Sequence, residues 1–172
     1  KRMLIKLLDS DYEIKSFDCG DADLNDFLLN DAKQFSKKRI AYTYILETEE
    51  GIVAYFSLLN DKVSRSDASN SSWKRLRKVF PHSKQFSSYP SVKIGRFAVD
   101  LKFEGQGFGR YLISEIKNIL ASRKGVSAFR FLTVDAYLSA VPFYEKNGFK
   151  MLVGADNDKH TRAMYLDLMD VE

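Results

Sequence analysis

Two stretches of this chain combine residue types and spacings that could do chemistry. The first runs Ile94-Gly95-Arg96-Phe97-Ala98-Val99-Asp100 and then Glu104-Gly105-Gln106-Gly107-Phe108-Gly109-Arg110. Ile94, Phe97 and Val99 anchor a strand over 91–100, and Leu112, Ile116, Ile119 and Leu120 recur on one face of a helix starting at Phe108. A strand that passes through a glycine-rich turn into a helix aims several backbone N–H groups at one spot, and the helix dipole adds positive potential there. Glycines let the backbone approach an anion with no side chain in the way. In physical terms this is a pyrophosphate site, although a plain tight turn between strand and helix would use the same residues. The run is neither Gly-x-Gly-x-x-Gly nor Gly-x4-Gly-Lys-Ser/Thr, so the dinucleotide and nucleoside-triphosphate fingerprints are both missing. The second stretch is Pro142-Phe143-Tyr144-Glu145-Lys146-Asn147-Gly148-Phe149, in which Tyr144 offers a phenol proton or, alternatively, a packed aromatic beside Phe143 and Phe149.

In this order and spacing the two stretches resemble the GNAT superfamily of acyl-CoA-dependent N-acyltransferases. Its pyrophosphate turn reads Gln/Arg-x-x-Gly-x-Gly/Ala, and its later signature, Phe-Tyr-x-x-x-Gly-Phe, is matched from Phe143 to Phe149. The resemblance implies acetyl-CoA as co-substrate, no metal, and transfer to a primary amine by direct attack in a ternary complex. It implies that Phe97, Ala98 and Val99 face the pantetheine arm and acetyl group. Glu104, Gly105, Gln106, Gly107, Phe108, Gly109 and Arg110 would form the pyrophosphate turn, with Phe143 also against the cofactor. Tyr144 would be the general acid that protonates the departing thiolate. A cysteine-like thiol at about 8.5 and a phenol at about 10 leave that transfer uphill by only about 2 kcal/mol, which fixed geometry can offset. Glu104 departs from the family's Gln or Arg, and an anionic side chain beside a pyrophosphate is unfavourable where it faces the ligand. The attacking amine must also lose a proton. Asp100 and Asp135, at strand ends, could accept it directly or through water, or could cap the segments that follow them.

The N-terminal third narrows the resemblance. Phe17-Asp18-Cys19-Gly20, Leu24-Asn25-Asp26-Phe27-Leu28 and Ala32, with Arg96 to Asp100, are similar to the GNAT toxins of toxin–antitoxin modules, which acetylate the amino group of aminoacyl-tRNA. That subgroup implies tRNA and an antitoxin protein as partners and admits a homodimer. A phosphate backbone calls for Lys and Arg on one face. Lys74, Arg75, Arg77 and Lys78 form one such cluster and Lys37, Lys38 and Arg39 another, though the second would equally close a helix at its C-terminus. Two other readings stand beside this one: a GNAT enzyme for a protein or small-molecule amine, and a non-catalytic acyl-CoA-binding module.

The elements that must position these residues are legible along the chain. Leu4 to Leu8 suggests a first strand; Asp21 caps a helix carrying Leu24, Phe27, Leu28 and Phe35; 41–59 reads as a hairpin. Residues 61–72 are rich in Ser, Asn and Asp and read as a loop, Trp73 to Phe80 as a short basic amphipathic segment stopped by Pro81, and 82–90 as a second loop. Ala128 to Asp135 is an apolar strand, Leu138 to Asn147 a short helix ending before Gly148, and Phe149–Val153 and Ala163–Leu168 two closing strands around a turn at Asp156, Asn157, Asp158 and Lys159. The expected fold is α/β: a single-domain GNAT-like fold over 1–172, with a mixed central sheet and helices on both faces. The 172 residues suffice for a core without disulfides, and 45% hydrophobic with 29% charged residues excludes a disordered tail. A lone Cys19, no apolar run long enough for a bilayer and no signal-peptide pattern point to a cytoplasmic protein with no membrane partner. His82, His160 and Cys19 lie far apart and offer no metal-ligand spacing. The net charge of +4 suits an anionic cofactor or substrate without requiring either.

Overall fold

The computed structural model describes residues 3–80, 86–152 and 160–170. Seven strands form a mixed sheet in the order β1-β2-β3-β4-β5-β7-β6, where β1 is Leu4–Leu7, β2 Tyr42–Thr48, β3 Gly51–Ser64, β4 Ser88–Val99, β5 Phe131–Tyr137, β6 Lys150–Met151 and β7 Thr161–Asp167. The chain clusters into two compact units, 1–59 with 94–116 and 60–93 with 117–172.

In the first unit β1 pairs antiparallel with β2, and β2 with β3, as the alternating hairpin pattern predicts. The helical stretch begins where Asp21 caps it, its carboxylate accepting from the N–H groups of Asp23 and Leu24. The expected single helix has three parts: α1 (Ala22–Asp26), a π-helical turn (Phe27–Asp31) and α2 (Ala32–Lys37). The wider turn, braced by Asn30 Nδ2 donating to Asp26 Oδ1 at 2.6 Å, keeps both Phe27 and Leu28 buried. Phe27 stacks on Tyr55 at 6.4 Å, Phe17 meets the same ring edge-on at 5.5 Å, and the Tyr55 hydroxyl donates to the Leu24 carbonyl at 2.6 Å. Lys37 sits in the last turn of α2, Lys38 caps it and Arg39 takes a left-handed φ of 57°, the helix-closing role foreseen for this triplet.

In the second unit the Ser-, Asn- and Asp-rich stretch is not a loop. β3 runs to Ser64, a 3₁₀ turn follows at Arg65–Asp67, and α3 spans Asn70–Arg77. The polar residues are caps: Ser64 and Asp67 form a capping box, and Ser69 accepts from Ser72 N–H. Likewise β4 begins at Ser88, inside the expected second loop, because Tyr89 is buried and stacks on Phe80 at 3.8 Å and on Trp73 at 5.3 Å. β5 starts three residues later than predicted. Ala128 is exposed, and the ladder opens beside Arg130, whose guanidinium grips both oxygens of Asp167 at 2.6 and 2.9 Å. β5 then pairs antiparallel with β7 from Phe131↔Asp167 to Tyr137↔Thr161. After β5, a 3₁₀ turn at Leu138–Ala140 leads into α5 (Val141–Lys146). Pro81, His82, Val153 and the turn Asp156 to Lys159 lie outside the described residues.

Replacing Asp21 with Ala removes the acceptor for two N–H groups at the start of α1. The expected loss is about 1 kcal/mol, read as a midpoint lowered by about 3 °C in thermal unfolding followed by circular dichroism. An unchanged midpoint would show that the π-turn packing alone holds this segment.

Candidate active site

β4 delivers the chain to Asp100, which is only 3% exposed. Its carboxylate accepts from Asp18 N at 3.1 Å and from Lys102 N at 2.9 Å, and its own N–H donates to the Val53 carbonyl at 2.8 Å. Of the two roles open to Asp100 from the sequence, the geometry supplies the cap: both oxygens bind the backbone around the turn. Asp18 completes the clamp, its carboxylate Oδ1 accepting from Gly20 N at 2.8 Å and Asn25 Nδ2 at 2.9 Å, which holds this carboxyl below its usual pKa. The 3₁₀ turn Leu101–Phe103 then leads to Gly105 at φ 75° and Gly107 at φ 84°, followed by α4 (Phe108–Ser122). A Cβ at either glycine would meet nothing within 4 Å. The positive φ strongly favours glycine, and the space above each backbone is open. No acidic residue occupies the first turn of α4, so its dipole is unopposed there. Glu104, Gln106 and Arg110 are exposed, and Gln106 Nε2 donates to the Lys102 carbonyl at 3.4 Å. Solvent around Glu104 screens the like-charge penalty expected from its departure from the family pattern. Phe97 and Val99 are half-buried, whereas Ala98 is packed in the first unit's core with Phe27 and Tyr55. Its side chain serves packing, which leaves its backbone for the expected cofactor contact.

Tyr144 belongs to the second unit. It lies in α5, whose first turn carries Pro142, and is 5% exposed. Its ring meets those of Phe143 and Phe149 edge-on, each at 5.2 Å. Burial raises the phenol pKa, so the group stays protonated through the working pH range. The end of α5 is fixed by three devices: Asn147 Nδ2 donates to the Phe143 carbonyl at 2.8 Å, Lys117 Nζ donates to the Asn147 carbonyl at 2.8 Å, and Gly148 turns away at φ 96°. Burial lowers the pKa of Lys117. Lys117 was not foreseen; the available signal is a lysine four residues after buried Ile113, on the apolar side of α4.

Asp135 does not stand free as a base. Its carboxylate is paired with Lys93 Nζ at 2.5 Å and its side chain is half exposed. The basic clusters fall in different units. Lys37, Lys38 and Arg39 are exposed in the first. In the second, α3 buries Trp73 and Leu76 and exposes Lys74, Arg75, Arg77 and Lys78. Among the described residues no group of three or more His, Cys, Asp and Glu could hold a metal, and no helix is long and apolar enough to cross a membrane.

Residues 84–164, which span the whole of β4, the glycine turn and the Tyr144 helix, match the acetyltransferase (GNAT) domain family. Residues 84–164 thus carry a GNAT acetyltransferase domain. Three solved structures extend the likeness over nearly the whole length of the chain. AtaT complexed with acetyl-methionyl-tRNAfMet is 27% identical with a TM-score of 0.80, covering 99% of this chain and 97% of that one. A tyrosine-to-phenylalanine mutant of KacT is 25% identical with a TM-score of 0.79, covering 99% and 98%. A tyrosine-to-phenylalanine mutant of the AtaT toxin, bound to the C-terminus of the antitoxin AtaR and acetyl-CoA, is 25% identical with a TM-score of 0.73, covering 100% and 97%. Over nearly its whole length the chain thus shares the fold of these toxin-type acetyltransferases.

The open space over Gly107 generates a test of donor binding. Gly107→Val should weaken acetyl-CoA by at least roughly tenfold, a 1.4 kcal/mol loss, in calorimetry. Gly107→Asn, whose side chain tolerates positive φ, separates occlusion of the turn from backbone strain. Wild-type affinity in a folded Gly107→Val protein would remove the turn from the donor site.

Proposed function

We propose that this chain, as one N-acetyltransferase domain over 1–172, moves the acetyl group of acetyl-CoA to the α-amino group of an aminoacyl-tRNA in the cytoplasm. The observation that carries the tRNA reading is the one-sided charge of α3. Its four cations, Lys74, Arg75, Arg77 and Lys78, are all exposed while Trp73 and Leu76 anchor the opposite side. Such a helix is a ready counter-surface for phosphates. The end-to-end likeness to AtaT in complex with acetyl-methionyl-tRNAfMet supports the same reading, and the AtaT structure with AtaR supports an antitoxin as protein partner.

In this reading the backbone N–H groups of Gln106, Gly107 and Gly109 and the N-terminus of α4 hold the pyrophosphate, with Glu104, Gly105, Phe108 and Arg110 completing the turn. Phe97 and Val99 offer main-chain groups to the pantetheine arm and Phe143 adds apolar contact. The amine attacks the thioester carbonyl directly, the carbon–sulfur bond breaks, and Tyr144 protonates the sulfur. Asp135, tied to Lys93, would take the amine's proton only through an intervening water.

Tyr144→Phe keeps the ring and removes the donor. Turnover should fall by roughly 10²–10⁴-fold while acetyl-CoA affinity survives. A variant that turns over at the wild-type rate would reduce Tyr144 to a packing residue. For the acceptor, Lys74, Arg75, Arg77 and Lys78 all changed to Gln should weaken charged-tRNA binding. The change should also flatten the salt dependence by about 0.7–0.9 per lost phosphate contact, leaving acetyl-CoA binding intact. Wild-type protein with charged tRNA and labelled acetyl-CoA should yield N-acetylated aminoacyl-tRNA. Label on a peptide or small amine, and on no charged tRNA, would replace this acceptor with the general one.

A further inference from the structure

Strand residues two apart share a face, and the second unit uses this to set a polar row beside its basic helix. Val63, Tyr89, Phe131 and Tyr165 pack in one cluster with Trp73 and Leu76 of α3. Two positions along each strand from the first three stand Asp61, Ser91 and Thr133, all polar. Thr133 Oγ1 donates to Asp61 Oδ2 at 3.0 Å. Thr133 lies opposite Tyr165 in the β5–β7 register, and the Tyr165 hydroxyl accepts from Arg75 of α3 at 3.5 Å. Two residues further on, Lys93 and Asp135 form their ion pair. The row is therefore continuous from α3 to the exposed end of β5.

Two features of this row are unexplained by folding. Ser91 is 3% exposed, yet its hydroxyl has no hydrogen-bond partner among the described residues. A buried polar group left unpaired costs roughly 1–3 kcal/mol, and such a group calls for an explanation. The charges are also unbalanced: Asp61 and Asp135 carry two negative charges against the one positive charge of Lys93. The pair at Lys93 and Asp135 neutralises itself, which leaves the half-buried Asp61 carboxylate with a hydroxyl donor and no cation among the described residues.

We infer that Asp61, Ser91 and Thr133 form the subsite that receives the acceptor's amino-acid end, with Asp61 as counter-ion to its ammonium and Ser91 as a hydrogen-bond partner for the same group. This inference rests on the aminoacyl-tRNA reading and names the residues that hold the amine. The charge pattern is bipolar: net negative at the row and strongly positive on α3 next to it. A ligand cationic at its reacting end and polyanionic beyond it matches both parts. A free lysine or a peptide N-terminus matches only the first. Asp61 is here a positioning residue for the acceptor; the proton and the carbon–sulfur bond are handled elsewhere.

The experiment pairs kinetics with direct binding. Asp61→Asn should raise KM for charged tRNA by about tenfold, with the acetyl-CoA dissociation constant unchanged. The salt slope of tRNA binding should also stay at its wild-type value, because no phosphate contact is lost. Ser91→Ala should move KM in the same direction by a smaller factor. A wild-type KM in Asp61→Asn overturns the subsite, whereas a changed salt slope would trace the effect to a disturbed α3 and overturn it equally. The second arm titrates ¹⁵N-labelled protein with methionine amide, a free α-ammonium with no phosphate. Shifts at the Ser91 and Thr133 amides that vanish in Asp61→Asn support the subsite, and their absence overturns it. If wild-type protein acetylates no charged tRNA, the aminoacyl-tRNA reading fails on that result alone, and the titration still decides whether the row binds an amine.

Discussion

One buried carboxylate holds the glycine turn to its strand. Burying an ionised group is expensive unless it is fully hydrogen-bonded, and charge-assisted bonds from backbone N–H groups are among the strong ones. Asp100 meets that condition by binding the N–H of Asp18 and of Lys102. The direction in which the chain leaves β4 is thereby set, and with it the direction in which Gly105 and Gly107 present their backbone. The same clamp gives the N-terminal motif a physical meaning. Asp18 binds Gly20 and Asn25, Asn25 Oδ1 takes Cys19 N at 2.8 Å, and Gly20 at φ 88° lies 3.5 Å from Leu101 by its would-be Cβ. The N-terminal stretch that narrows the resemblance to toxin-type sequences is, in the first unit, the wall against which the turn is built.

The fold was legible wherever apolar periodicity and caps agreed. Asp21, the hairpin at 41–59, α4 and the Tyr144 helix all combine a local signal with a buried face, so local and tertiary preferences point the same way. The stretches misread as loops failed for one reason. Serine and aspartate favour turns because their side chains bind nearby backbone, and the same bonds also cap helices. At Ser64, Asp67 and Ser69 those bonds start the 3₁₀ turn and α3. Only buried partners distant in sequence could decide between the two uses: Trp73 and Leu76 packing with Phe131 and Leu152. The π-helical turn at Phe27 has no local signature either, since it is fixed by the need to bury Phe27 and Leu28 together.

At the candidate site, the residues proposed to meet the donor through backbone were readable because the turn favours glycine there. Positive φ and an unshielded amide favour glycine over nearly every other residue at Gly105 and Gly107. Roles that depend on a partner were not readable. Asp100 and Asp135 look alike in sequence, each an aspartate at a strand end, yet one is buried and bound by backbone while the other is half exposed and paired with a lysine. Asp61 and Ser91 sat in stretches read as polar loop or strand edge. They acquire meaning only when β3, β4 and β5 bring them alongside Thr133.

The burial of Tyr144 bears on whether a phenol can serve as the acid at all. Taken alone, a raised pKa makes it a weaker donor than the model phenol, which widens the gap to a thiol in water. Desolvation does not act on one partner only. It disfavours whichever form is charged, and for both thiol and phenol that is the deprotonated form. A thiolate leaving into the same dry surroundings has its proton affinity raised as well, so the difference that governs the transfer stays nearer the small model value than the phenol pKa alone suggests. A neutral phenol is also the state a donor must hold before sulfur departs. Phe143 and Phe149, which pack the ring edge-on, thus do more than fill the core: they keep water from ionising it and hold it in one orientation. Aromatic packing and the proposed proton donation, which compete as explanations when only the sequence is read, place compatible demands on one buried ring.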